Sequence, residues 1–415
     1  MNNTMDIVTE YGIGPDFFEY IESHKSCDTA KLLLASKKPG PAFDLKFAIL
    51  QIECRKRISR KVPELAGMPH FIFPSALSTE QCTCQPVAQF HASLLDGCAN
   101  VLDLTAGLGI DDYYIAGKTG HLTAVEKNPL TASALKYNMA MYRPGMTVVN
   151  NDAASYLASV IASHARFDAV FIDPARRDGQ DKRTYGLSDC EPDVMQMLDG
   201  IREITDTLYI KASPMLDITL LTTTVPHLAA IHIVGVDNEC KELLLKLDFK
   251  TTRQEEGGTC VNTLNFETGS DAPQQLAFNT EEQKTFAVNY GSEVLAYLYE
   301  PNCCIMKGGA FPTLAKASPE LLKLGQNTHL FTSAEPHHGF PGRAFKVVET
   351  IPFKDKHIKQ LHKQYPKANI STRNFRLPAH ELKKKLRIAD GGDTYIFATT
   401  LPGDRQVLVI TNKLI

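Results

Sequence analysis

Tryptophan is missing from the 415 residues, an absence that carries no functional information. Long apolar runs are missing too. No stretch approaches the ~18 consecutive apolar residues that a helical membrane span needs. The start, Met1 to Glu10, lacks the basic segment and apolar core of a secretory signal. The 10 cysteines form no CxxC pair, so zinc ribbons and thioredoxin-like motifs are not expected. Without an export signal they read as reduced thiols of a cytoplasmic protein. No charge of one sign dominates: 44 Lys+Arg face 47 Asp+Glu, a net of −3. That balance excludes a uniformly basic nucleic-acid packager and an acidic disordered tail. What is present is ordinary for a globular chain, 43% hydrophobic and 22% charged. The length suits about two to four domains.

The charge is unevenly placed. From His337 to Ile415 there are 15 Lys+Arg and 6 Asp+Glu, a net of +9, which leaves −12 for the rest. This suggests a basic module on an acidic body. A second basic knot is Arg55, Lys56, Arg57, Arg60 and Lys61.

Residues 1–75 read as helical. Phe43, Phe47, Leu50, Cys54 and Ile58 recur at steps of three or four and form one apolar stripe. Arg55, Lys56 and Arg60 fall off that stripe, toward solvent. Ser78-Thr-Glu-Gln81 has the form of a capping box, opening a helix through Leu94 that Pro86 could kink. The pattern then alternates. Strands are expected at Asn100–Thr105, His121–Glu126, Met146–Asn150, Phe167–Ile172, Thr207–Lys211 and Ile231–Val236. Helical segments separate the first five: Asp111–Gly117, Leu130–Met141, Ala153–His164 and Pro192–Ile204. That rhythm predicts an α/β fold with a doubly wound parallel sheet. Leu243–Phe249 and Val261–Phe266 fit late antiparallel strands. The polar stretch 251–275 marks a domain border. The expected organisation is a helical region over 1–75, an α/β domain over 76–270, a small α+β domain over 271–336 and a basic α+β domain over 337–415.

Chemistry gathers at strand ends. Asn100-Val-Leu-Asp-Leu-Thr-Ala-Gly-Leu-Gly-Ile-Asp111 runs an apolar strand into Gly107-x-Gly109 and a helix start. Glycines there let a ligand approach the backbone, at the edge where doubly wound sheets bind nucleotides. Asp103, Glu126 in Ala-Val-Glu-Lys127, and Asp152 before Ala153 follow at successive strand ends. An acid about 20 residues past the glycines suits ribose hydroxyls. A dinucleotide wants GxGxxG, but Asp112 stands where the third glycine would be, close to a pyrophosphate. S-adenosylmethionine has no phosphate, and its sulfonium and amino group attract Asp103 and Asp111. It is the favoured cofactor, with a dinucleotide as the rival. The fourth strand ends in Asp173-Pro174-Ala175-Arg176-Arg177. Asp173 and Pro174 suit a rigid acceptor for a target amine, and Arg176 suits a phosphate or a base edge.

This array resembles the class I S-adenosylmethionine-dependent methyltransferases. With Glu80-Gln-Cys and Asp173-Pro-Ala-Arg-Arg177 it is similar to a bacterial group carrying a C-terminal THUMP-like domain. Phe340-Pro-Gly-Arg-Ala-Phe-Lys346, Arg373 and Glu381-Leu-Lys-Lys-Lys-Leu-Arg387 resemble that domain, and the region near 276–335 its ferredoxin-like neighbour. The resemblance implies a Rossmann-like seven-stranded methyltransferase sheet with small C-terminal α+β domains. Asp103, Gly107 and Gly109 would line the methionine part of the cofactor, Glu126 would bind the ribose hydroxyls, and Asp152 would contact the adenine amino group. Thr105, Asp111, Lys127 and Ala153 would also be cofactor-binding. Asp173, Pro174 and Arg176 would form the catalytic loop. Arg343, Arg373, Lys383, Lys384 and Arg387 would bind RNA. Nucleic-acid amino-methyltransferases usually place an aromatic residue after the proline. Here Ala175 and Arg176 follow, so either stacking comes from elsewhere, such as an arginine plane or Tyr185, or the target is not a base amine. Lys211-Ala-Ser-Pro-Met215 holds no cysteine, which argues against pyrimidine C5 chemistry. The expected function is direct methylation of RNA, with tRNA the favoured class, no membrane and no metal. The rivals are an RNA-binding protein with a vestigial methyltransferase fold and a protein or small-molecule methyltransferase.

Overall fold

The computed structural model describes residues 6–35, 41–176, 186–250, 258–270, 272–358 and 360–414. Arg177, Tyr185 and the polar stretch 251–257 lie outside them. The chain forms two compact units, Met1–Ala229 with Leu244–Thr252, and Ala230–Leu243 with Arg253–Ile415.

In the first unit the strands are β1 (Asn100–Asp103), β2 (His121–Glu126), β3 (Thr147–Asn150), β4 (Ala169–Ile172) and β5 (Thr207–Ala212). They run parallel in the order 3-2-1-4-5, with registers such as Val101 opposite Leu122 and Ala169. The order reverses beside β1, so β1 and β4 both end where a doubly wound sheet opens its ligand crevice. Val101, Leu102, Val170 and Ile172 are buried, as parallel strands covered on both faces require.

The helices are α1 (Leu45–Ile58), α2 (Ala76–Gln81), α3 (Gln85–Leu94), α4 (Ile110–Ile115), α5 (Pro129–Tyr142) and α6 (Ala153–Ser163). The 1–75 region is part of this unit's core: Cys54, Ile58, Val62, Leu65, Phe71 and Phe73 pack with Val101, Ile115 and Leu135. Two local expectations are corrected. Ser75, not Ser78, caps α2 by accepting from the Ser78 amide at 3.1 Å. Pro86 opens α3 rather than kinking it, because a first-turn residue needs no helical N–H bond. Arg55 does not point to solvent. Its guanidinium donates to the carbonyls of Ala66, Met68, Pro69 and Phe71 at 2.6–3.3 Å and ties α1 to the chain that enters the sheet.

The expected seven strands are all found, divided between the units. β6 (Leu228–Val236) and β7 (Glu239–Asp248) form a hairpin whose turn residues Asp237 and Asn238 both have positive φ. In the second unit, β8 (Cys260–Phe266) runs parallel to β6 and β9 (Gln274–Asn279) antiparallel to β8. A strand at Val261–Phe266 is expected, but as an antiparallel one, whereas β8 runs parallel to β6; β9 is not expected.

A separate seven-stranded sheet holds β10 (Tyr297–Pro301), β11 (Phe331–Ser333), β12 (Gly342–Pro352), β13 (Asn369–Arg373), β14 (Thr394–Leu401) and β15 (Arg405–Lys413). From Leu322–Lys323 its order is β11-β10-β12-β15-β14-β13. β10 pairs with β12 from Tyr297↔Lys346 to Pro301↔Gly342, so one sheet crosses the border expected at 336/337. Glu300 on β10 and Arg373 on β13 are four strands apart, about 19 Å in a flat sheet. They meet at 2.7 Å, so the sheet curls on itself. Leu298, Phe345, Phe397 and Val409 fill the curl, while α7 (Ala379–Leu386) packs Leu382 and Leu386 on the outer face.

Candidate active site

The turn after β1 holds the site together. Thr105 donates its amide to Asp103 Oδ1 at 2.7 Å, and its Oγ1 accepts from the Asp173 amide at 2.6 Å. One threonine thereby fixes the β1 loop against the β4 loop. The two glycines serve different ends. Gly107 has φ +55, and a Cβ there would meet only the Thr105 carbonyl, at 3.9 Å, so the space above it is open. Gly109 has φ +78, and a Cβ there would lie 2.1 Å from Leu135 Cδ1. It permits the turn to pack on α5 rather than against a ligand. Glu126, at the end of β2, accepts from the Gly107 amide at 3.0 Å and the Asn128 amide at 2.6 Å. Its carboxylate is held beside the open face of Gly107.

Beneath the turn lie two further acids. Asp103 is 2% exposed and Asp112 fully buried. Among the described residues neither Asp112 oxygen has a hydrogen-bond partner, and its carboxyl lies beside that of Asp103, so the two titrate as a pair. Burial pushes the Asp103 carboxyl up to about 7, against the lowering pull of the Thr105 amide. Burial, with Asp103 beside it, raises Asp112 well above the usual carboxylate range. Carboxyls raised in the folded state keep protons that the unfolded chain has released. The stability they contribute is present at low pH and is lost as pH rises from about 4 to about 7. Asp112→Asn should flatten that loss, read as melting temperatures near pH 5 and near pH 8. An equal fall in both proteins would remove the pair as its cause.

Asp111 belongs to a different cluster. The sequence reading sets it among the cofactor acids, but its carboxylate is engaged within the protein. Oδ2 accepts from Thr83 Oγ1 at 2.5 Å, and Oδ1 lies 2.8 Å from His91 Nδ1. Lys211 Nζ, at the end of β5, is 3.7 Å from Oδ2, 2.9 Å from Thr83 Oγ1 and 2.5 Å from Asp173 Oδ2. Burial alone would raise the Asp111 carboxyl; Lys211 and His91 outweigh it and hold it well below the usual range. Asp173 reaches out from the same cluster, its side chain 43% exposed, with Pro174 buried behind it. Thr83, His91 and Lys211 are site residues that sequence reasoning missed. Lys211 was visible as a cation at a strand end. Thr83 and His91 carry no signal, since nothing in α3's periodicity says that His91 faces an acid.

Asp152 caps α6, accepting from the Ser155 amide at 2.9 Å, which holds its carboxyl below the usual range. Its side chain serves the helix, with Ala153 as the first helical residue. Lys127 pairs with Glu191 at 2.7 Å on the surface. Arg176 follows Ala175 in a two-residue strand paired with Cys190–Glu191. In the second unit, Arg343 and Arg373 are not free cations: both are held by Glu300. Lys383 pairs with Asp390, while Lys384 and Arg387 are exposed.

Residues 297–341 match a ferredoxin-like domain and residues 342–413 a THUMP domain-like family. A crystal structure from Porphyromonas gingivalis W83, provisionally described as a methyltransferase, is 29% identical over 99% of this chain and 100% of that one, with TM-score 0.87. This is a methyltransferase-fold chain with a THUMP-like domain. The likeness runs through the whole fold, including the 1–75 region. Partial likenesses extend to an S-adenosylmethionine-dependent methyltransferase from Agrobacterium tumefaciens, 17% identical over 46% of this chain and 58% of that one, TM-score 0.30. Another is TrmK of M. capricolum in complex with S-adenosylhomocysteine, 10% identical over 40% and 70%, TM-score 0.32. Likenesses that low do not establish a shared site. No curated protein matches the chain. Among the described residues no helix is long and apolar enough to cross a membrane, and no group of three or more His, Cys, Asp or Glu is placed to hold a metal.

Proposed function

We propose that this methyltransferase-fold chain binds S-adenosylmethionine and methylates RNA, with tRNA the first substrate to test. The observation that carries the cofactor is the set of acids around the β1 turn: Asp103, Asp112 and Glu126, with Asp173 across Thr105. Asp103 and Asp112 are buried, with their carboxyls pushed up by burial, and open space lies over Gly107. A cationic ligand relieves that arrangement, whereas a pyrophosphate would add to its repulsion. Bound S-adenosylmethionine supplies a methyl group on a sulfonium. Glu126, oriented by two amides, accepts from the ribose hydroxyls, and Asp103 faces the amino group. The cap at Asp152 and Ala153 sits at the β3 end, where the adenine is expected.

The residues for transfer follow from the Asp173–Lys211 pair. Lys211 Nζ holds the Asp173 carboxylate by a 2.5 Å hydrogen bond to Oδ2, and Thr105 and Pro174 fix its backbone. Asp173 would accept a hydrogen bond from the target amine, orient its nitrogen toward the methyl group, and take up the proton the nitrogen sheds as the thioether leaves. Holding nucleophile and methyl in line is the main source of rate. Arg176 follows three residues after Asp173, and its role would be to hold a neighbouring phosphate.

RNA as the substrate rests on the THUMP-like match and on the +9 of residues 337–415. Lys383 and Lys385 pair only with exposed acids, Asp390 and Asp355. Such pairs are weak and yield readily to phosphates. The test begins with the cofactor. Glu126→Ala should weaken S-adenosylmethionine binding about tenfold or more, since a hydrogen bond to a charged group contributes roughly 1.5–3 kcal/mol. Calorimetry on the folded variant showing unchanged affinity would sink the role of Glu126. Nucleoside mass spectrometry of RNA from a deletion strain then names the product, and an unchanged nucleoside profile would count against RNA.

A further inference from the structure

The curled sheet of the second unit ends in a cluster that the proposed activity does not use. Along β10, Leu298 lies inside the curl, and Glu300, two residues on, shares its face. Phe345 and Phe397 are likewise inside, with Arg343 and Thr399 two residues from them. Thr399 is paired with Arg373 in the β13–β14 register. Polar side chains thus close one end of an apolar interior.

Glu300 is fully buried. It accepts from Arg343 Nε at 2.8 Å and from Arg343 Nη2, and Arg373 Nη2 is 2.7 Å from its Oε1, off the hydrogen-bond direction. His329 stacks on Phe311, ring centroids 4.6 Å apart. Lys323 is buried, donates to the carbonyls of Gly325 and Gln326, and stands 5.0 Å over the same Phe311 ring. Burial, with Lys323 and Arg373 nearby, lowers the His329 pKa and keeps the ring neutral. The cluster therefore joins three cations to one carboxylate.

Among the described residues four of its polar atoms are buried with no hydrogen-bond partner: Glu300 Oε1, Arg373 Nε, His329 Nδ1 and Thr399 Oγ1. Three of these can donate. Buried donors without partners and cations in excess are both costly unless an anion completes them. The side chains of Arg343 and Arg373 are still 30% and 31% exposed, so the cluster reaches solvent through them. Arg373 Nη1 also donates to the Thr372 carbonyl at 3.0 Å. A guanidinium carries five N–H donors in a planar fork, so donors remain on both arginines, and a fork of that kind suits a tetrahedral oxyanion.

We propose that Arg343 and Arg373, set in place by Glu300 and backed by His329 and Thr399, form a phosphate-binding site. The site needs no cofactor and stands whether or not the chain transfers methyl groups. Glu300 is a positioning residue, since it acts through the arginines.

The full chain is titrated with inorganic phosphate by calorimetry, against chloride at equal ionic strength. Saturable binding is expected in the wild type. Arg343→Lys and Arg373→Lys keep a charge for Glu300 but lose the fork, and each should weaken binding about tenfold. If either lysine variant melts far below the wild type, Arg343→Gln and Thr399→Val supply the same comparison. No phosphate binding, or equal affinity in folded variants, overturns the proposal. A second arm finds the source. Displacement of phosphate by a 5′-phosphorylated RNA oligonucleotide but not by its 5′-hydroxyl form assigns an RNA end, and displacement by both assigns the backbone. Displacement by neither assigns free phosphate or a small phosphorylated molecule.

Discussion

Asp173→Ala should lower methyl transfer by about 10²- to 10⁴-fold, the range for removing a positioned acid–base group. S-adenosylmethionine affinity should hold within about twofold, because the loss falls on the step and not on the cofactor. The expectation comes from where the side chain stands. Asp173 is at the carboxyl end of β4, its amide fastened to Thr105 and its Oδ2 2.5 Å from Lys211. Its side chain is the exposed member of an otherwise buried cluster. Removing it leaves Lys211 with Thr83 and Asp111, so the fold should persist. Labelled methyl transfer to RNA from a deletion strain is the readout. Normal turnover would remove Asp173 from the mechanism.

Asp111→Ala should act on stability instead. His91, Lys211 and Thr83 all converge on this carboxylate, and His91 is fully buried on its side-chain face. Taking one partner from a buried charge pair costs about 3–5 kcal/mol, much of it for the charge left behind. Denaturant midpoints should show that loss, and Asp111→Asn a smaller one. The pH dependence has a definite sign. Asp111 is held below its unfolded range, so its contribution is complete above about pH 4 and is lost as pH falls below that. That is the reverse of the trend expected from Asp103 and Asp112. A variant as stable as the wild type at neutral pH would show that the cluster is not a stabilising one.

Much of the first unit was legible in the sequence because its signals are local. The β2 run His121–Glu126 is apolar, short and bounded by turn residues, and the structure gives it those bounds. The parallel order follows from the alternation of strands and helices. Glu126 and Asp173 were legible because a strand end is a fixed address in this fold. Contacts between distant segments were not legible. Nothing near Thr83 points to Asp111, 28 residues on, or to Lys211, 128 residues on. Arg55 shows the same limit. Its place on the helical wheel is off the apolar stripe, yet four carbonyls from a later loop turn it inward. The curl that brings Arg373 to Glu300 also needs the whole sheet. Strand periodicity says which face a residue takes and does not say that two edges meet.

The collar around Arg55 bears on how such a chain can be cut and recombined. The helices before residue 75 lend Cys54, Ile58, Phe71 and Phe73 to the core beneath β1. A gene fragment beginning at β1 would leave that apolar surface bare, and its product would aggregate rather than fold. The first exon-sized segment is therefore no portable module. Domain shuffling that moves the sheet must carry the helical lead with it, and expression trials of the first unit should start at or near the first helix.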